Sequence, residues 1–393
     1  MRILHIIPSL APETGGPAQS VPQICKAFTK AGNEVVLFTT NWPKNEMTWN
    51  CFSEEIADGF KIVTFPSNPN LLMSNLPRST NLIKAIRNNA QDFDITIIHS
   101  LWNPLVSFCM REFRRIGSRY CLMPHGMLDP VVLKRNRWKK IPWLILWERV
   151  NIEKASLIIF NTETELEKAR RIGWVFKRTF VFPHIIDLSE WRELPRRTTF
   201  ENKFPNVKGR EVILFVGRIN WVKNLDKLLE AISVVKRRRP SAMLVCIGPD
   251  NDGYRSKLEK YAQTLGIQES LLFAGMMDRE DLKKAYARGD VLALVSKKEN
   301  FGRVVGEALA CGLPVVLSEG VDIGKNLPQG GPVRCVRAVP DEIAEALIKM
   351  LDRSVSQGLP DVQALALAEK TWGDSSVMQL LGVLNSTIEG TGR

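Results

Sequence analysis

The sequence lacks paired cysteines and long hydrophobic runs. Its seven cysteines are scattered and form no C-x-x-C pair, a pattern typical of reduced thiols in the cytosol rather than of a disulfide framework. The longest stretches without an acidic or basic residue are only 16 residues long, 62–77 and 95–110. Because a membrane-spanning helix needs about 20 largely apolar residues, we expect a cytoplasmic protein without one. Residues 1–16 are predicted to hold a first strand, not a signal peptide.

Motifs of several other protein classes are missing as well. No G-x-G-x-x-G follows the first strand, and no G-x-x-x-x-G-K-[ST] is present, which argues against a dinucleotide oxidoreductase and a P-loop ATPase. No cluster of His, Cys and Asp has metal-ligand spacing, so no metal site is predicted. His5, His99 and His184 lie in or beside predicted strands and are expected to be core or rim residues.

The composition is that of an ordinary globular protein with an uneven charge. The chain has 393 residues, of which 45% are hydrophobic and 24% charged, and this length suits two to three domains. Its net charge is +12, and residues 1–192 hold 25 basic against 17 acidic side chains. An anionic partner is therefore expected to meet the N-terminal half, although solvated basic faces would give the same count.

Short apolar runs alternate with segments of helical period along the whole chain. Seven strand candidates lie between Ile3 and Phe182, and six more lie between Val212 and Val336. This pattern is typical of parallel strands covered by helices on both faces. The predicted fold class is α/β, with two Rossmann-like doubly wound domains facing a cleft. The expected boundaries are 1–186 for the first domain, 187–208 for a linker, 209–371 for the second domain, and 372–393 for a C-terminal helix that packs back on the first.

Three predicted strands end in loops that contain glycine and precede a helix or a helical turn. These loops are Pro8 to Pro17 with Gly15 and Gly16, Gly217 to Lys223, and Ser296 to Gly302. Glycine lets a ligand approach the backbone, and a helix N-terminus favours an anion. Arg218 and Lys223, five residues apart in the second loop, add positive charge. The C-terminal half is therefore predicted to bind a diphosphate.

Two carboxylates complete the pattern in the C-terminal half. Glu299 and Glu307 stand eight residues apart and bracket Asn300-Phe301-Gly302 at the start of a helix. With Arg218 and Lys223 upstream, this arrangement resembles the retaining glycosyltransferases of family 4, which have the two-Rossmann GT-B architecture. The resemblance runs from Gly217 to Pro314 and extends into the N-terminal half through Gly15-Gly16 and Pro124-His125-Gly126-Met127-Leu128.

The resemblance implies a role for each matching residue. Arg218 and Lys223 would neutralise the leaving nucleoside diphosphate, as a metal does in other transferases. Glu307 would bind the ribose hydroxyls and Glu299 the hydroxyls of the donor sugar. His125 would contact the sugar near the reacting carbon; without the resemblance, a turn histidine bonded to backbone would be favoured. The other expected donor-binding residues are Gly15, Gly16, Asn300, Phe301, Gly302, Arg303 and Val304.

The sequence departs from the commoner family pattern at two positions. Asn224 follows Lys223 where glycine is usual, and this is expected to alter only the turn into the helix. Arg303 fills a position where a small or apolar residue is common. Its side chain is expected either to reach the phosphates or the acceptor, or simply to be solvated.

The resemblance also implies the reaction. The protein would be a retaining transferase that moves a hexose or related sugar from a nucleotide-diphosphate-sugar to a saccharide acceptor, with no metal or other cofactor. Attack would come from the front side, with the leaving phosphate helping to deprotonate the acceptor hydroxyl. Polysaccharide or cell-envelope glycan assembly would be the setting. A nucleotide-sugar epimerase of the same architecture and a non-catalytic basic polyanion-binding protein are the alternatives.

One further segment, 134–149, is basic and rich in tryptophan. It holds six basic residues against one acidic residue, and three of the ten tryptophans. Such a helix could lie on an anionic leaflet at the inner face of the cytoplasmic membrane, which would suit a lipid-linked acceptor. A core helix with Trp143 and Trp147 against the sheet is an equal alternative. Nucleic acid is not expected as a partner, because no reading module accompanies the charge.

Overall fold

The computed structural model describes residues 1–11, 14, 16–43, 52–67, 78–130, 148–183, 185–250 and 253–390. The chain divides into two compact units. Unit 1 comprises Met1–Ile185 and Asp374–Arg393, and unit 2 comprises Ile186–Gly373. Each unit contains one largely or wholly parallel sheet, so the predicted α/β class with two doubly wound domains is confirmed.

Unit 1 is built on an eight-stranded sheet in the order β3-β4-β2-β1-β5-β6-β7-β8. The strands are β1 Arg2–Ser9, β2 Glu34–Thr40, β3 Ser53–Ala57, β4 Phe60–Phe65, β5 Ile95–His99, β6 Tyr120–Met123, β7 Leu157–Phe160 and β8 Thr179–Val181. All seven strands predicted for this half are present. The strand that was not predicted, β3, pairs antiparallel with β4 at the sheet edge. Four of its five residues are exposed, so it has no apolar run to reveal it.

The helices of unit 1 cover both faces of this sheet. They are Gly16–Lys30, Thr80–Asn89, Pro104–Ile116, Arg149–Lys154, Glu163–Arg170 and Asp374–Ile388. The last of them, from the far end of the chain, shares a core cluster with β1 through Val377, Leu380, Leu381 and Leu384. Arg178 also donates to the hydroxyls of Ser386 and Thr387 near its end (2.8 and 3.1 Å).

Unit 2 contains a six-stranded parallel sheet in the order β11-β10-β9-β12-β13-β14. The strands are β9 Glu211–Val216, β10 Ala242–Ile247, β11 Leu271–Gly275, β12 Val291–Leu294, β13 Val315–Ser318 and β14 Val333–Val336. All six were predicted. Numbered within the unit, the order is 3-2-1-4-5-6, that of the dinucleotide-binding Rossmann sheet. The strand order reverses between β9 and β12, which makes the carboxyl ends of these two strands the expected ligand position.

Helices and the segment before β9 complete unit 2. The helices are Ser189–Arg192, Arg197–Lys203, Leu225–Arg238, Tyr254–Thr264, Arg279–Arg288, Arg303–Ala310, Asp322–Asn326, Pro340–Gln357 and Val362–Trp372. Segment 187–208, predicted as a linker, carries the first two of them. Trp191, Phe200 and Val207 from this segment are buried in the core of unit 2. Within the described ranges, no helix is long and apolar enough to cross a membrane.

Candidate active site

Two loops of unit 2 leave the sheet at the point where its strand order reverses. Loop 217–224 follows β9 and loop 295–302 follows β12, and these two strands are neighbours. The Lys297 amide donates to the Val222 carbonyl (2.8 Å), and its ammonium lies 5.4 Å from the Trp221 ring. The structure therefore brings together the two loops that the sequence singled out in this half.

Glycine at the start of the first loop serves a close backbone approach. Gly217 has φ 154°, and a Cβ there would contact the Lys223 side chain. Gly248, after β10, has φ 140°, and its Cβ would lie 2.1 Å from the Gly217 carbonyl oxygen. Only glycine fits at 248 without moving this backbone. Sequence reasoning missed Gly248, although a glycine directly after a strand was available as a signal.

The two predicted diphosphate cations have different surroundings. Arg218 is exposed and forms no ion pair within the part of the chain that the structure describes. The Lys223 side chain is 15% exposed, and its ammonium donates to the carboxylate of Glu299. Arg218 therefore offers a full positive charge to a ligand, whereas a phosphate at Lys223 must share the ammonium with Glu299.

Asn224 shows why glycine is usual after the lysine. Its backbone is left-handed, with φ 59° and ψ 34°, at the junction between the turn Trp221–Lys223 and helix Leu225–Arg238. Asparagine is among the few residues besides glycine that adopt this conformation readily. The expected change in the turn is therefore small, because Asn224 keeps the left-handed geometry.

The backbone of Glu299 is held by a third loop, after β13. Its N–H donates to the Gly320 carbonyl, and its carbonyl accepts from the Asp322 N–H, both at 2.8 Å. A Cβ at Gly320 would lie 2.2 Å from the Ser296 carbonyl oxygen, so glycine is needed at this approach. Gly320 and Asp322 position Glu299, and sequence reasoning did not identify them.

Helix Arg303–Ala310 begins where a diphosphate-binding helix is expected. Gly302 precedes it with φ 64°, and a Cβ there would meet Leu294 at 3.0 Å. The Phe301 side chain is buried, with its ring 6.2 Å from that of Trp372. Asn300 and Val304 are half-buried. Amides of a helix's first turn have no carbonyl partner within the helix, so the backbone here can meet an anion.

Glu307 lies inside unit 2. Its carboxylate accepts from the Tyr286 hydroxyl (3.0 Å) and from Arg303 Nη2 (3.5 Å). Burial raises the pKa of Glu307, and the positive charge of Arg303 opposes the rise. The solvated alternative for Arg303 is wrong, because its side chain is only 17% exposed and forms an ion pair with Glu307. Tyr286, which the sequence did not reveal, fixes the carboxylate of Glu307.

In unit 1 the predicted histidine sits in a strained turn after β6. His125 has φ 52° and Gly126 has φ 80°. The buried carboxylate of Glu165 accepts from the amide of Gly126 (2.5 Å) and from that of Asn161 (2.7 Å). A left-handed non-glycine residue costs of order 1–3 kcal/mol and persists only where its surroundings hold it. Glu165 supplies that restraint.

Strained backbone collects at the predicted ligand-binding strand ends. In the described ranges, five non-glycine residues have positive φ, namely Asp58, Ser100, Trp102, His125 and Asn224. All except Asp58 lie in loops that follow β5, β6 or β9. The Trp102 indole donates to the Met127 carbonyl (2.8 Å), which ties the loop after β5 to the turn after His125.

His125 is the end of a row of three histidines. His99 Nδ1 lies 3.0 Å from His125 Nε2, and His5 Nδ1 lies 2.9 Å from His99 Nε2. His5 and His99 are fully buried, as expected for core residues, but they contact the candidate site through His125. Burial lowers the pKa of His5 and that of His125 to about 3, so both rings are neutral at pH 7.

Several predicted residues fall partly or wholly outside the described ranges. Gly15, His184 and residues 134–147 of the basic segment lie outside them. Gly16 begins helix Gly16–Lys30 and is exposed, with open space where a Cβ would lie. Of the basic segment's last two residues, Glu148 is buried and accepts from the Ser107 hydroxyl, and Arg149 pairs with Glu153 (3.0 Å). Across the described residues, no group of three or more His, Cys, Asp or Glu could hold a metal.

Comparison with known proteins assigns a family to both halves. Residues 14–190 match the family described as Glycosyltransferase Family 4, and residues 196–357 match Glycosyl transferases group 1. The chain is 25% identical over 378 residues to a D-inositol 3-phosphate glycosyltransferase from Corynebacterium urealyticum, covering 91% of this chain and 85% of that protein.

Solved structures share the fold. Sucrose-phosphate synthase from Thermosynechococcus elongatus superposes with a TM-score of 0.75 at 18% identity, over 100% of both chains. HepE from Anabaena, solved with UDP-glucose, superposes with a TM-score of 0.74 at 17% identity, over 98% of this chain and 100% of that one. The chain is a glycosyltransferase of family 4 with the GT-B fold, and it transfers sugar from a nucleotide-sugar.

Proposed function

We propose that this glycosyltransferase moves a hexose from a UDP-sugar to a saccharide acceptor with retention of the anomeric configuration, in polysaccharide or cell-envelope glycan assembly. The observation that carries the proposal is the pair of loops after β9 and β12, which place Arg218, Lys223 and Glu299 at the switch point of unit 2. Among the nucleotides, UDP is the first to test, because HepE was solved with UDP-glucose. Retention rests on the resemblance to family 4.

Loss of the nucleoside diphosphate is the step that the loops of unit 2 suit. Charge accumulates on the departing phosphate, and preorganised cations and amides stabilise it most in the transition state. Arg218 supplies an exposed guanidinium, and Lys223 an ammonium held by Glu299. On this proposal the leaving phosphate accepts the proton of the acceptor hydroxyl, while the amides at the start of helix Arg303–Ala310 contact the other phosphate.

Metal independence is part of the proposal. Arg218, Lys223 and the helix N-terminus supply the positive charge that a divalent cation would otherwise provide. Transfer should therefore continue in EDTA at an undiminished rate. Strict dependence on Mg²⁺ or Mn²⁺ would show that these groups do not carry the diphosphate charge.

The acceptor is proposed to carry a phosphate. Residues 1–192 hold an excess of eight positive charges, and anionic molecules concentrate at such surfaces. The relative from Corynebacterium urealyticum is named for inositol 3-phosphate, which fits this chemistry. A polyprenyl-diphosphate-linked saccharide at the inner membrane face, reached through residues 134–149, is a second source of the same group.

Product analysis tests these assignments together. UDP-, GDP- and ADP-hexoses are offered with a soluble sugar phosphate, with its dephosphorylated form, and with a lipid-diphosphate-linked saccharide in anionic vesicles. An α-linked product from a UDP-α-hexose, formed faster with a phosphorylated acceptor, supports the proposal. A β-linked product would overturn retention, and equal rates with the dephosphorylated acceptor would overturn the phosphate. If the donor is epimerised in the absence of an acceptor, the protein is better described as a nucleotide-sugar epimerase. If it binds a polyanion but turns over no donor, it is better described as a polyanion-binding protein.

A further inference from the structure

Three histidines from neighbouring strands of unit 1 form a connected row. His5 lies in β1, His99 ends β5, and His125 follows β6, and these strands are adjacent in the sheet. The two nitrogen–nitrogen distances are 2.9 and 3.0 Å, and successive ring planes are tilted by 13° and 25°. Both distances are those of hydrogen bonds, so each contact requires one protonated and one unprotonated nitrogen.

The three rings must share one direction of hydrogen bonding. A neutral imidazole has one donor and one acceptor nitrogen, and the middle ring uses both, one toward each neighbour. Either every ring donates toward His125, or every ring donates toward His5. In the first case His125 carries its proton on Nδ1, and in the second on Nε2.

The buried end of the row decides between the two directions. His5 Nε2 is buried and has no hydrogen-bond partner among the described residues. Its aromatic neighbour Phe28, with ring centroids 5.6 Å apart, offers no lone pair. Donation toward His5 would leave an N–H here without an acceptor, and orphaned N–H groups are rarer in proteins than unsatisfied acceptors. Donation toward His125 leaves only an unused lone pair.

We propose that His5 and His99 are positioning residues that hold His125 as the Nδ1–H tautomer. Their row fixes the proton on one nitrogen, while Glu165 fixes the backbone turn beside it. At Nδ1, His125 is a hydrogen-bond donor and not a base. If the proposed function is right, this N–H meets an oxygen of the donor sugar or of its phosphate, and the acceptor's proton leaves by another route.

Nitrogen NMR reads the tautomer without any substrate. In protein labelled with ¹⁵N-histidine at pH 7, the His125 ring should show a protonated Nδ1 and an unprotonated Nε2. An Nε2–H form of His125 in the wild type would overturn the proposal. This measurement does not depend on catalysis, so it tests the proposed tautomer whether or not the protein turns over a nucleotide-sugar.

Two variants test whether the row sets the tautomer. His5→Gln places an amide at the buried end that can either donate to or accept from His99 Nε2. His99→Leu removes both bonds of the middle ring, so His125 should become a mixture of tautomers in each variant. His99→Gln, whose amide can both accept and donate, should keep more of the wild-type form. An unchanged His125 tautomer in His5→Gln would overturn the part assigned to His5. If His99→Leu does not fold, His5→Gln and the wild type still decide the question.

Kinetics separate positioning from mere stability. With a donor that the wild type uses, His99→Leu should lower kcat about five- to tenfold with little change in donor KM, and His99→Gln should recover part of the loss. Ile158→Val, at a buried position in β7, is the matched control and should lower only the melting temperature. Equal kcat losses in His99→Leu and Ile158→Val would overturn the positioning role. If the wild type shows the expected Nδ1–H tautomer but transfers no sugar, the proposed function is refuted and the proposed role of the histidine row is not.

Discussion

In unit 2, the candidate groups come from short stretches of sequence and carry charge. In unit 1, they come from strands β1 and β5, the turn after β6 and a helix, spread over residues 5–165. The His5 and His99 rings are fully buried, and the His5 and His125 rings are neutral at pH 7. Arg218, Lys223 and Glu299 gather where two loops meet, whereas His125 depends on His5, His99 and Glu165. A diphosphate needs charge, which short loops can supply. A fixed proton position needs a dry, rigid setting, which only the packed sheet can supply.

The largest loss of activity is expected when the exposed cation of unit 2, Arg218, is removed. Arg218→Ala is expected to cost roughly 2–4 kcal/mol of transition-state stabilisation, because the guanidinium compensates charge that builds up as the phosphate leaves. kcat/KM should fall accordingly, with little change in the melting temperature. Arg237→Ala, which removes an exposed arginine from helix Leu225–Arg238, is the control and should be nearly neutral. Similar kinetics in both variants would remove Arg218 from the diphosphate site.

Acid should lower the free energy of unfolding through the buried histidine His5 of unit 1. Burial lowers the pKa of His5 to about 3, against about 6.5 in an unfolded chain, so the unfolded state binds a proton that the folded state does not. Stability is complete above pH 6.5 and falls as pH drops toward 3, by about 2 kcal/mol for one such histidine between pH 6.5 and 5.

Urea unfolding at pH 7, 6 and 5 checks this slope. His5→Phe should show a flatter dependence than the wild type, because one of the buried neutral rings is gone. Ile158→Val should be less stable at every pH but keep the wild-type slope. Identical slopes in His5→Phe and the wild type would mean that His5 takes up its proton equally in the folded and unfolded states.

The ion pair of Lys223 with Glu299 should contribute less free energy than the two effects above. Both side chains are partly exposed, so a double-mutant cycle of Lys223→Met and Glu299→Gln is expected to give a coupling of about 1 kcal/mol in unfolding free energy. Saturating UDP should reduce this coupling, because the phosphate shares the ammonium with the carboxylate. A coupling that UDP leaves unchanged would show that Lys223 stays bonded to Glu299 alone.

The smallest effect should come from the turn after the lysine. Asn224→Gly should change stability by only about 0.5 kcal/mol, since glycine adopts the same left-handed backbone. Asn224→Val should be worse than Asn224→Gly, because a branched Cβ is poorly tolerated at φ 59°. Melting temperatures of the two variants test the order, and an equal or higher value for Asn224→Val would contradict the conformational explanation.

Features set by a local sequence pattern could be predicted from the sequence, and features set by tertiary contacts could not. Thirteen of the fourteen described strands follow from apolar runs, because strands covered on both faces are continuously apolar. The strand that was not predicted, Ser53–Ala57, is an exposed edge without such a run. Arg218, Lys223 and the carboxylates follow from loops with local spacing. Gly248, Tyr286 and Glu165 do not, because each acts on a residue more than 20 positions away through packing that only the folded sheet defines.

The helix Asp374–Ile388 makes the order of synthesis matter for this chain. Unit 1 takes its first 185 residues from the start of the sequence, but its core also needs the four apolar side chains of that last helix. Translation at about 5–20 residues per second places about 10–40 s of synthesis between the two pieces. Unit 2 is complete in sequence before unit 1 is. During that interval the nascent first unit carries an uncovered apolar face beside β1, which a chaperone or another nascent chain could occupy.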